Sequence, residues 1–146
     1  AAGIAPDRLI FAGRVPSRSE HLERLGHADL ALDTRLYNGH ATTVDALMAG
    51  VPVVATLGSH FAARVSASVL DAAGLSDLIT ATEEAFVERA VAIAGSAHER
   101  AAAAARVRSA VRSSPLFDAG LYASKLEDLY RAMVAARPAR RPTVRP

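Results

Sequence analysis

Between Asn38 and Gly50 the chain reads Asn-Gly-His-Ala-Thr-Thr-Val-Asp-Ala-Leu-Met-Ala-Gly, and the residues able to do chemistry concentrate there. His40 stands where an apolar run hands over to a helical pattern. A helix start offers unpaired backbone N–H groups and a positive dipole end, which together suit an anion such as a diphosphate. Gly39 before His40, and the hydroxyls of Thr42 and Thr43 after it, favour ligand contact over a plain turn histidine. Asp45 has two readings. With Thr42 it matches the spacing of a capping box, and in a nucleotide site an acid at this place accepts from ribose hydroxyls. A second group, Arg18, His21 and Arg24, repeats at one-turn spacing. It is either a solvated helix face or a base-binding one, since an imidazole plane stacks on a base and a guanidinium bonds its edge.

Those side chains need elements to hold them. Ala28–Asp33 is an apolar run of strand length, Val51–Ala55 is another, and the stretch between them carries Val44, Leu47 and Met48 at helical spacing. The unit is strand, helix, strand, with Gly50 and Pro52 as the helix stop. Upstream, Arg8–Ala12 is a strand candidate. A helix starts near Ser17 or Ser19, with Glu20 at capping-box distance from Ser17, Leu22 and Leu25 facing the core, and Gly26 closing it. Downstream come a turn at Thr56–His60, a helix from Phe61 to Ala73, and a short strand at Leu78–Thr80. Three further helices follow at Glu83–Ala94, Ala97–Arg112 and Leu121–Ala135, with Ser113–Phe117 as a corner. Such alternation predicts an α/β fold, a Rossmann-like parallel sheet with flanking helices and a C-terminal helical extension. The expected division is a core over 1–82, a helical extension packed on the same lobe over 83–136, and a basic Pro-rich tail over 137–146 that is disordered or a linker.

At 146 residues and 51% apolar, the chain holds one domain with a sizeable core. Net charge is +2, and of the 17 basic residues all but Lys125 are arginine. This is no nucleic-acid-binding surface. The chain has no cysteine, which removes thiol catalysis and thiolate metal sites and fits a reducing, cytoplasmic setting. His21, His27, His40, His60 and His98 lack metal-ligand spacing, so no metal is expected. No apolar run reaches membrane-spanning length, so no membrane partner is expected either. The glycine-rich dinucleotide, Walker A and nucleophile-elbow patterns are missing. Asp33 ends a strand as a receiver's phospho-acceptor does, but the acidic pair a receiver needs is replaced by Phe11-Ala12-Gly13.

Leu32-Asp33-Thr34, Asn38-Gly39-His40, Asp45, Ala49-Gly50, Pro52, Gly58, Ala63-Arg64-Val65, Ser113-Ser114-Pro115-Leu116-Phe117 and Tyr122 carry a family likeness. From about Arg8 to Met133 the chain resembles the carboxyl-terminal catalytic lobe of the protein O-GlcNAc transferases. These are GT-B glycosyltransferases with bacterial homologues and plant SPINDLY-type members. The resemblance implies the C-terminal half of a GT-B fold in a bacterial homologue, with a parent protein carrying helical TPR repeats. By that resemblance His21 stacks on uracil, Arg24 lies near the base and Arg18 takes the place of a lysine at the nucleotide. His40, Ala41 and Thr42 form the diphosphate turn, and Asp45 meets the ribose.

Departures from the family pattern are informative. Ala41 replaces a threonine of the animal enzymes, and the loop before His21 is one residue longer. Tyr37 stands where those enzymes place a small cysteine beside the sugar's N-acetyl group, so Tyr37 is the sugar-proximal residue that bears on the donor. SPINDLY-type enzymes, with GDP-fucose as the implied donor, share the tyrosine but lack the turn histidine. His21 and His40 together favour a UDP sugar. The implied reaction is inverting, metal-independent transfer of GlcNAc from UDP-GlcNAc to a protein Ser or Thr, without a cofactor. Catalytic and acceptor-binding residues are expected before residue 1, so the chain alone is expected to be inactive. The contrasting expectation is a non-catalytic interaction module of the same fold.

Overall fold

The computed structural model describes residues 3–136, and the tail expected at 137–146 lies outside them. The helix α1 (Arg18–Leu25) begins where Ser17 Oγ accepts from the Glu20 amide at 3.2 Å, the cap its sequence predicts. Three parallel strands follow in the order β1 (Ala31–Leu32), β2 (Val53–Thr56), β3 (Ile79–Thr80). Ala31 pairs with Val53 and Leu32 with Val54, then Ala55 with Ile79 and Thr56 with Thr80. All of β2 but Thr56 is buried, because helices cover both faces of its ladder.

Between the strands run α2 (His40–Met48) and α3 (Val65–Ala72), and after β3 come α4 (Glu83–Gly95), α5 (Ala97–Ser113) and α6 (Ala119–Ala135). Leu47 of α2, Val54 of β2, Leu70 of α3, Ile93 of α4 and Val107 of α5 are fully buried in one cluster. The later helices thus share the core of the strands. Thr82, Ser96 and Asp118 cap α4, α5 and α6, each accepting from the amide three residues on. Gly50 ends the α2 turn at φ +81°, a left-handed conformation that a side chain disfavours. Ser114 Oγ donates to Ala72 O at 2.9 Å, fixing the Ser113–Phe117 corner against the end of α3.

Four expectations change. Arg8–Ala12 is not a strand. Pro6–Arg8 forms a 3-10 turn, and Ile10 and Phe11 are 88% and 92% exposed. A strand exists by its ladder, and this apolar run has no strand partner among the described residues. The strand expected from Ala28 starts only at Ala31, because the Ala28 amide still bonds to Leu25 O at the exit of α1. The helix expected from Phe61 to Ala73 is split into a 3-10 turn at Phe61–Ala63 and α3. Its first carbonyls are diverted: Ala62 O accepts from Asn38 N and Ala63 O from Gly58 N, both at 2.8 Å. Met48 is exposed, and Thr43 and Ala46 face the core with Leu47 in its stead.

Candidate functional site

β1 delivers Asp33 at its carboxyl end, the turn Thr34–Asn38 follows, and α2 starts at His40 with Gly39 as its N-cap. No side chain caps this helix. The capping box of Thr42 and Asp45 is therefore not formed, because the helix begins two residues before Thr42 and Asp45 points elsewhere. The first-turn N–H groups of His40, Ala41 and Thr42 have no acceptor within the helix. Ala41 and Thr42 are exposed. Thr43 is not available to a ligand: it is 3% exposed, its hydroxyl donates to Gly39 O, and Ser66 Oγ lies 2.8 Å from it.

Asp45 is the meeting point of two helices. Arg18 Nη2 of α1 donates to Asp45 Oδ1 at 2.9 Å, and His21 Nε2 stands 3.6 Å from Asp45 Oδ2. His21 Nδ1 lies 3.3 Å from Arg24 Nη2, and Arg24 also donates to Gly13 O. A guanidinium only donates, so His21 Nδ1 is the acceptor in that pair. Arg24, His21 and Arg18 thus form a polar network that converges on Asp45 across the α1–α2 contact. His21 and Arg24 are half-buried, not a solvated face.

His40 belongs to a separate aromatic cluster. Its ring stacks on Tyr37 with centroids 5.1 Å apart and planes 3° from parallel, and meets Phe61 edge-on at 6.1 Å. Its Nε2 is buried with no hydrogen-bond partner, as is Asp33 Oδ2. Each is a group whose bonding capacity is unused by the described residues. A shallow groove of about 720 Å³ runs along Thr34, Arg35, Leu36 and Tyr37. A concavity of about 640 Å³ along α3, lined also by Leu57 and Ile79, meets this region only through Phe61.

Thr43 aside, the eight residues singled out in the sequence as nucleotide-binding or sugar-proximal lie on α1, on α2 or in the turn before it. Arg18, His21, Arg24 and Asp45 are brought into one network; Tyr37 and His40 form a pair apart from it; Ala41 and Thr42 present the open helix end. Four residues that shape the site carry no sequence signal of that role. Asp33 Oδ1 accepts from the Gly39 amide at 2.8 Å. Asn38 is 1% exposed, donates to Thr34 O at 2.8 Å and accepts from the Ser66 amide at 3.2 Å. Ser66 and Phe61 come from the start of the next helical segment, beyond any local pattern. Among the described residues no group of His, Asp and Glu is arranged to hold a metal ion, and no helix is long and apolar enough to cross a membrane.

The profile of glycosyl transferase family 41 matches residues 1–126. The chain is 38% identical over 131 residues to a Caenorhabditis elegans UDP-N-acetylglucosamine-peptide N-acetylglucosaminyltransferase, covering 90% of this chain and 11% of that protein. It is 37% identical to the Arabidopsis thaliana protein SEC, described as a probable enzyme of the same name, over 91% of this chain and 14% of the relative. A mutant of the Thermobaculum terrenum O-GlcNAc transferase superposes with a TM-score of 0.80 at 32% identity, over 90% of this chain and 25% of that one. The chain thus spans only a small part of the proteins it matches. Its parallel sheet and flanking helices are the expected C-terminal half of a GT-B fold. On the profile match and this likeness together, the chain belongs to glycosyl transferase family 41.

Proposed function

We propose that this chain is the nucleotide-sugar-binding lobe of a protein O-glycosyltransferase that transfers GlcNAc from UDP-GlcNAc to Ser or Thr. The observation that carries the reading is the uncapped start of α2 at the carboxyl end of β1, flanked by the polar chain through Asp45. Parallel α/β sheets bind ligands at that end, and an open helix N-terminus suits a diphosphate. His40, Ala41 and Thr42 hold the diphosphate, Asp45 accepts from the ribose, and His21, Arg24 and Arg18 receive the base and its surroundings. Tyr37 borders the sugar. The names of the relatives, which include a UDP-N-acetylglucosamine donor and a peptide acceptor, support the same assignment.

In this reading the reaction inverts the anomeric centre without a metal. The leaving UDP gains negative charge as the glycosidic bond breaks, and the α2 dipole with His40 stabilises it in place. The groups that deprotonate and bind the acceptor lie outside this chain, in a parent protein with TPR repeats working in the cytoplasm, and the chain alone does not transfer sugar. Residues 1–82 form the nucleotide-sugar core, and 83–136 the helical extension.

Titration of UDP and of GDP into the isotope-labelled chain, followed by amide shifts, tests the assignment. UDP is expected to move the amides from His40 to Asp45 and those of α1. A response of that region to GDP and none to UDP would refute the uridine assignment and favour a GDP sugar.

A further inference from the structure

We propose that Asp33 and Ser66 are positioning residues that aim the start of α2 at the diphosphate, an inference that rests on the nucleotide reading above. Gly39 is the last residue before the open N–H groups, and the peptide groups on both of its sides are gripped. Its amide donates to Asp33 Oδ1 at 2.8 Å, while Asp33's own amide stays in the sheet, bonded to Val54 O at 3.0 Å. Its carbonyl accepts from Ser66 Oγ at 3.2 Å and from the Thr43 hydroxyl. One grip thus comes from β1 and the other from α3, two elements that share the core with α2. The peptide orientation at Gly39 sets the direction of the amides that follow.

The packing leaves the turn little freedom. A Cβ at Gly39 would sit 2.5 Å from Thr42 Oγ1 and 3.0 Å from Thr43 Oγ1, so the space beside it is filled by the two hydroxyls. Asp33 Oδ2 is buried without a partner. That is a poor arrangement for stability alone, since an unpaired buried carboxylate oxygen carries a desolvation cost. A carboxylate near a diphosphate is also repulsive. The gain is a charge-assisted bond to the Gly39 amide, shorter and stronger than an amide acceptor gives.

The two ligand halves separate this role from a general loss of structure. Uridine offers base and ribose to α1 and Asp45 but no phosphate to the α2 start, so positioning variants should weaken UDP and spare uridine. The measurement is the affinity of both ligands by amide-shift titration for the wild-type chain and for Asp33→Ala, Asp33→Asn and Ser66→Ala. Asp33→Ala is expected to weaken UDP about tenfold, the loss of one charge-assisted hydrogen bond, with uridine unchanged. Asp33→Asn keeps a neutral acceptor for Gly39, so UDP binding should fall less than in Asp33→Ala, and an equal fall would contradict the grip on the Gly39 amide. Ser66→Ala should weaken UDP by about threefold, the scale of a neutral bond, and it decides the matter if Asp33→Ala does not fold. Equal losses of UDP and uridine, or no loss of either, would overturn the positioning role and leave the nucleotide reading standing. A wild-type chain that binds neither ligand would sink the nucleotide reading, and this inference with it.

Discussion

Replacing Asn38 by alanine should destabilise the chain by about 2–4 kcal/mol, although Asn38 belongs to a turn and touches no ligand in the reading above. The magnitude follows from where its two side-chain bonds end. Nδ2 donates to Thr34 O at 2.8 Å, and Thr34 is exposed, so water can replace the lost donor at a cost under about 1 kcal/mol. Oδ1 accepts from the amide of Ser66 at 3.2 Å, and Ser66 is fully buried. That amide lies in the first turn of α3, whose N-cap Arg64 supplies no side-chain bond. Asn38 is therefore the cap of α3, delivered from 28 residues away. Losing a cap costs about 1 kcal/mol, and leaving a buried N–H unpaired, with a small void where the amide was, brings the total to the stated range. At this chain length the melting temperature should fall by about 6–15 °C. Urea denaturation of wild-type and Asn38→Ala chains, with the slopes compared to verify a common unfolding transition, measures it. A loss under about 0.5 kcal/mol, typical of an exposed turn residue, would refute the capping argument.

Gly58→Ala should be among the more damaging glycine changes, by about 3 kcal/mol in the same denaturation assay. Its Cβ would lie 2.3 Å from Ala63 Cβ and 2.8 Å from Ala63 O, and Ala63 is buried. Arg18→Ala removes an ion pair whose arginine is 66% exposed, so stability should stay within about 0.5 kcal/mol while UDP affinity falls severalfold. Equal effects on both would contradict its place at the nucleotide. Asp77 supplies a pH dependence. Burial pushes its carboxyl up, but hydrogen bonds and charge from Arg106 and Arg89 outweigh this and hold it below its ordinary value. A lowered folded-state value means the contribution is present above the unfolded value near pH 4 and is lost as pH falls through the folded one. With the carboxylate 40% exposed the effect is under about 1 kcal/mol. The gap in stability between wild type and Asp77→Asn should shrink from pH 7 to pH 3, and a gap that does not change would contradict the assignment.

Most of this fold is legible in the sequence because its signals are local. Ser17 announces a helix start, and α4, α5 and α6 fall within two residues of the ranges expected from the sequence. The start of α2 is legible from the change of period between the apolar run and the helical pattern, although the capping box expected at Thr42 is not formed. What sequence does not carry is pairing across distance. Leu9, Ile10 and Phe11 have strand composition, yet strand formation depends on a partner that is not among the described residues. Asp45 fits a capping box by spacing, but Arg18 on another helix takes its carboxylate, and that contact exists only once α1 packs on α2. Ser66 has no local pattern around it, and Asn38, although it opens the stretch Asn38–Gly50, shows nothing locally of its bond to the Ser66 amide. Their roles arise from the register that brings the turn after β1 against the start of α3.

In the reading above, the open N–H groups at the start of α2 bind a nucleotide diphosphate. A crystal structure of this chain with UDP should show diphosphate oxygens about 3 Å from the amides of Ala41 and Thr42, with the ribose hydroxyls at Asp45 and the uracil against His21. UDP bound elsewhere, or bound with its diphosphate turned away from α2 into solvent, would contradict it.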